Sequence, residues 1–140
     1  MSPTTFRGLV LFSVLLEIGA ATVDLLIPGL IPNSLSQALE NEPLPSVFNN
    51  LWLSFLLFVP WAVITLVGIV GLLFFKGWAR SLSFYSTVLG LGLYPFLGPT
   101  LTSGWSSALS EASFMTWGAV LALAYYAPLA ERFEVKNDAP

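Results

Sequence analysis

Residues 51–75 read LWLSFLLFVPWAVITLVGIVGLLFF, a run with no charged side chain anywhere along it. A helix needs roughly 20 apolar residues to cross the hydrocarbon layer of a bilayer, and this run is long enough to do so. Pro60 lies inside it and is expected to kink it, because proline lacks the amide proton a helix interior requires. Working outward, three further apolar stretches fall at residues 6–27, 81–97 and 112–127. The stretch at 81–97, third in chain order, ends in YPFLGPT, where Pro95, Gly98 and Pro99 predict an irregular terminus. The expected fold is all-α: an integral membrane four-helix bundle formed by one domain over residues 1–140.

Composition points the same way. The 140 residues are 56% hydrophobic and 9% charged, against roughly 25% charged in an ordinary soluble domain. Mean hydropathy is +0.80. Five basic and eight acidic residues are too few to make a polar skin for a water-soluble protein of this size, so the apolar surface is expected to face lipid. A net charge of −3 argues against nucleic acid as a partner, since phosphate binding needs a basic patch.

Orientation follows from where the cations sit. Arg7 opens the first span, Lys76 and Arg80 lie in the KGWAR turn, and Arg132 and Lys136 follow the fourth span. Residues 28–50 and 98–111 contain no Lys or Arg. The positive-inside rule then places both termini in the cytoplasm. Trp78 at the inner boundary, with Trp52 and Trp105 at the outer one, matches aromatic belts. Gly19–Ala21 resembles a signal-peptide processing site, but Glu17 interrupts the apolar region before it, so the first span is expected to stay attached.

In the first outer loop, Ser34 and Gln37 form a capping-box pattern that predicts a short helix over residues 34–41, lying along the membrane interface and ending before Pro43 and Pro45. An ordinary loop with one helical turn is the plainer alternative. Spans one and three both end in Pro and Gly, a weak echo of a duplicated hairpin.

The chain has neither Cys nor His. That excludes disulfides, thiolate metal sites, His- or Cys-held haem and any His-based acid–base pair. No phosphate loop, metal-ligand cluster or nucleophile motif is present, so no cofactor, no metal and no enzymatic activity are expected.

Glu17 is the most unusual residue, standing near the expected bilayer centre, where a charge costs roughly 2.5–3.5 kcal/mol. Asp24 lies seven positions on, which is two turns along the same face, together with Ser13, Ala20 and Ala21. Depth counting places Thr65 and Thr87 near Glu17, and Tyr94 and Thr116 near Asp24. These residues are the candidates for holding a proton, a cation or a ligand. The plainer alternative is a neutral Glu17 bonded across helices and an Asp24 that reaches the wet interface. Ser86 with Gly90, and Gly118 with Ala122, place small residues one turn apart and predict close approach of spans three and four; Gly68 and Gly71 do the same on span two. Trp61, Trp117, Tyr125 and Tyr126 are expected in packing or lining a pocket.

Two resemblances can be attached to these residues. The outward first span, the longish outer loop and a span pair joined by a tight basic turn resemble the DoxX-like group of small four-span bacterial membrane proteins. LLEIGAAT at residues 15–22 is similar to the first helix of small multidrug resistance transporters, which implies a proton- and cation-binding Glu at position 17. The third span, FYSTVLGLGLYPFLGP, departs from that family's pattern. The reading carried forward is a bacterial inner-membrane, multi-pass protein that acts by binding a membrane-protein partner, a second copy or a lipophilic ligand. The alternative is a proton- or cation-linked transporter using Glu17.

Overall fold

The computed structural model describes residues 2–41, 51–97, 100–126 and 130–134. Pro43, Pro45, Gly98, Pro99 and Lys136, used in the reading above, lie outside them. The described residues are all helical or connecting turns, with no strand among them. Helix α1 runs Pro3–Leu26, α2 Asn33–Glu40, α3 Leu51–Leu73, α4 Gly77–Leu93, α5 Gly104–Tyr125 and α6 Ala130–Phe133. A single 3-10 turn, Tyr94–Phe96, follows α4 with Pro95 inside it.

Of these, α1 and α3 are long and apolar enough to cross a membrane. Only 17% of the apolar window of each is buried inside the protein, which separates them from the core helices of a soluble fold. Helix α4 spans 17 residues, and α5 opens on the more polar GWSSALSE. Leu15, Leu25, Leu56, Leu66, Phe74 and Met115 all point outward.

The long helices associate as two antiparallel pairs, α1 with α5 and α3 with α4. In the first pair the buried residues recur every seven positions, Phe6, Ser13 and Ala20 on α1 against Ser106, Ser113 and Val120 on α5, the spacing of a left-handed helical seam. Ser13 Oγ donates to the Ser113 carbonyl at 3.3 Å, Ser113 Oγ donates to the Ser13 carbonyl at 3.1 Å, and Ser106 Oγ donates to the Ala20 carbonyl at 2.8 Å. Small hydroxyl residues thus bring the two backbones close and bond them together. The second pair closes on glycines. A Cβ at Gly68 would stand 2.7 Å from Ser83 Oγ, and one at Gly71 would stand 2.6 Å from the Ala79 Cβ.

The two pairs meet at one end. Phe6, Val10, Leu72, Ala79, Val120, Ala124 and Phe133 form the buried core there. The rings of Phe6, Phe75 and Phe133 lie 5.1–5.8 Å apart, centroid to centroid. Arg7 Nε donates to the Leu73 carbonyl at 2.9 Å and Arg80 Nη1 to the Ala124 carbonyl at 3.4 Å. Each arginine thus satisfies a carbonyl at the C-terminal end of a helix in the other pair, where positive charge is favoured. Beyond this closed end the pairs enclose a central cavity.

The capping-box reading of the outer loop is corrected. Helix α2 starts one residue earlier, at Asn33, with Pro32 at its N-cap and no side-chain cap. Ser36, not Ser34, bonds back to the Pro32 carbonyl, at 3.4 Å.

Candidate functional site

The central cavity holds about 320 Å³ and draws residues from all four long helices. Its walls include Ser13, Val14 and Glu17 of α1, Phe58, Trp61 and Thr65 of α3, Ser86, Thr87, Gly90 and Leu93 of α4, and Ser113, Phe114 and Trp117 of α5; Tyr94 stands just past α4. It begins on each helix where the closed-end core stops. The seven-residue seam explains the contribution of α1, since Ser13 faces α5 while Val14 and Glu17 lie on the side turned to the other pair.

Nearly every polar group of the wall is already bonded within the protein. Trp61 Nε1 donates to the Ser86 carbonyl at 3.0 Å, and Trp117 Nε1 donates to Thr87 Oγ1 at 2.9 Å. Thr87 Oγ1 donates in turn to the Ser83 carbonyl at 2.8 Å, Thr65 Oγ1 to the Trp61 carbonyl at 2.9 Å, and Ser86 Oγ to the Ser83 carbonyl at 3.1 Å. A hydroxyl whose proton goes to its own helix presents mainly its methyl or methylene side. The cavity is therefore an aromatic and aliphatic chamber. Glu17 is exposed and has no hydrogen-bond partner among the described residues; with the Tyr94 hydroxyl it supplies the polar character of the rim.

The depth-based pairings are corrected. Thr65 and Thr87 share the cavity with Glu17 but bond to α3, α4 and Trp117 instead of its carboxyl. Asp24 meets neither Tyr94 nor Thr116. Its Oδ2 accepts from the backbone N–H of Ser103 at 3.0 Å, and Thr116 Oγ1 bonds to the Ala112 carbonyl at 2.8 Å. Ser103 is the N-cap of α5, with its Oγ accepting from the Ser106 N–H at 3.2 Å. Asp24 thus stands at the positive end of α5, and a carboxylate is favoured at a helix N-terminus by about 0.3–1 kcal/mol. Its other oxygen, Oδ1, is buried with no bond.

Gly90 lies beneath the Trp61 indole, where a Cβ would come within 2.9 Å of Cζ2. Ser86 is buried against α3 through the same indole. Gly118 and Ala122 are exposed, and nothing lies within 4 Å of a Cβ built on Gly118. Gly68 and Gly71 make the close approach expected of them on the second span, against Ser83 and Ala79. Sequence reasoning missed the serine seam of α1 and α5; the recurrence of Ser106 and Ser113 at seven positions was its available signal.

A scan against protein-family models found no match, and searches of curated proteins and of solved structures found no similar chain.

Proposed function

We propose that this is a small multi-pass protein of a bacterial inner membrane that acts by binding a lipophilic ligand in the cavity between its two helix pairs. The observation that carries the reading is a chamber of about 320 Å³ whose wall hydroxyls and indoles are already bonded to the protein. A polar solute would give up hydration there and gain no hydrogen bonds in return, whereas an apolar one loses nothing. Membrane embedding is supported by the outward apolar faces of α1 and α3 and by the gathering of Arg7, Arg80 and Arg132 at the closed end, with exposed Trp52 and Trp105 at the other. With the cations inward, both termini face the cytoplasm. Four helices crossing the bilayer is the arrangement that buries all of this surface.

Gentle purification in detergent followed by native mass spectrometry tests the reading. The expected spectrum carries a bound apolar molecule that is lost from a variant with the cavity filled, Val14→Phe with Leu93→Phe. A spectrum with no adduct in either protein, or with the same adduct in both, overturns it. The same spectrum reports whether a second copy or another membrane protein is retained.

A second reading rests on Glu17, whose unpartnered carboxyl stands at the rim. In a proton- or cation-linked transporter this carboxyl would take up and release the ion. Glu17→Gln keeps the shape and removes the titrating group; transport of a lipophilic cation into vesicles should then vanish, and unchanged transport rules that role out.

A further inference from the structure

We infer that the occupant of the cavity is a hydrocarbon chain of a bilayer lipid, entering sideways from the membrane while its polar head stays outside. The inference rests on the ligand-binding reading above and narrows it to one class of ligand. Four of the residues that line the chamber, Glu17, Leu91, Tyr94 and Phe114, are also exposed at the bundle surface. The chamber therefore reaches the outer surface between the helices, at a level where the neighbouring surface is Leu15, Ile18, Leu56 and Leu89. That surrounding is apolar, so whatever sits at the mouth is drawn from the bilayer. Deeper in, the indoles of Trp61 and Trp117 line the chamber with their N–H groups already bonded. A chain of methylenes satisfies that wall, since it brings no polar group that the wall would leave unpaired. Of the polar groups at the rim, the Tyr94 hydroxyl, just past the end of α4, is the one placed to meet a head group. The closed end, sealed by Phe6, Phe75 and Phe133, sets how far the chain can reach.

Five tryptophans are present, and replacing Trp52, Trp78 and Trp105 with Phe leaves only the two indoles of the chamber. This variant is reconstituted in phosphatidylcholine vesicles and in vesicles whose phosphatidylcholine carries brominated acyl chains, which quench a tryptophan they touch. Most of the fluorescence should be lost in the brominated vesicles and recovered when Val14→Phe and Leu93→Phe fill the chamber. Equal fluorescence in the two vesicles overturns the inference, and so does quenching that persists in the filled variant, because the chains then reach the indoles from outside. Bromobenzene separates the two levels of the argument. Quenching by bromobenzene but not by brominated lipid leaves a chamber for small apolar molecules and removes the lipid chain; quenching by neither removes the ligand-binding reading as well.

Discussion

Asp24 and Ser103 stand 79 positions apart in the chain, yet one carboxylate oxygen and one amide join α1 to the start of α5. Ser103 is buried, so removing the acceptor leaves its N–H without a partner, at a cost of about 1–3 kcal/mol. Asp24→Asn retains an acceptor oxygen and should lose only the dipole contribution. We therefore expect Asp24→Ala to be clearly less stable than Asp24→Asn in reversible unfolding in mixed micelles; equal losses would mean that charge, not the hydrogen bond, is what matters at this position. Glycines make a sharper contrast. At Gly71 a methyl would meet the Ala79 Cβ and the Trp78 ring at 2.6–2.8 Å, and overpacking of this kind costs about 1–3 kcal/mol. At Gly118 a methyl meets nothing, and the gain in helix propensity is about 0.5–1 kcal/mol. Gly71→Ala should lower the unfolding midpoint and Gly118→Ala should raise it. Should Gly118→Ala instead weaken the protein, a partner packed on that face is the explanation to pursue.

The turn between α3 and α4 shows how an element is ended by a residue whose type is ill-suited to it. Phe75 has φ +54°, and Lys76 N–H reaches back to the Gly71 carbonyl at 2.9 Å, the hydrogen bond of a Schellman motif, whose left-handed position usually holds glycine. A side chain there costs about 1–2 kcal/mol, and the Phe75 ring offsets it by packing on Phe6 and Phe133 with the Arg7 guanidinium 5.4 Å from its centroid. Phe75→Ala keeps the backbone cost and loses the ring, whereas Phe75→Gly loses the ring and relieves the backbone. Both should be destabilised, with Ala the worse by about 1 kcal/mol; the reverse order in the same unfolding assay would place the strain elsewhere. This element also marks what the sequence could and could not disclose. The all-α class was legible because long apolar runs need only composition and length to be seen. The tight link around Lys76 was legible from its charge, but the left-handed Phe75 was not, since its tolerance depends on a ring from α6 that lies far along the chain. Spacing identified Gly118 and Ala122 as neighbours on one helix without saying which way they face. Depth counting failed for Asp24 because it took the fourth span from residue 112, whereas α5 starts at Gly104, more than two turns earlier.

At the scale of the whole molecule the protein is two firmly joined helix pairs held together mainly at one end. Within each pair the backbones approach closely, through the serine seam of α1 and α5 or at Gly68 and Gly71 of α3. Between pairs, the bonds from Arg7 and Arg80 and the aromatic cluster lie at the closed end, and farther out the described hydrogen bonds are those from Trp117 and within each pair, around an open chamber. Phe133 is the wedge common to both pairs: it is 1% exposed, its ring meets Phe6 and Phe75, and its carbonyl lies 2.6 Å from a Cβ built on Gly77. Truncating a buried Phe to Ala costs about 3–5 kcal/mol, and here the loss falls on the joint and not on either pair. Because the chain has no cysteine, introduced cysteines can carry spin labels without competition. One label pair, Leu25→Cys with Phe55→Cys, measures the distance between helix pairs at the open end. Another, Leu25→Cys with Trp105→Cys, measures within a pair. Phe133→Ala should broaden and lengthen the first distance distribution while leaving the second unchanged. Broadening of both would mean that the serine seam depends on the closed end, and the molecule would then have to be understood as one cooperative bundle instead of two hinged halves.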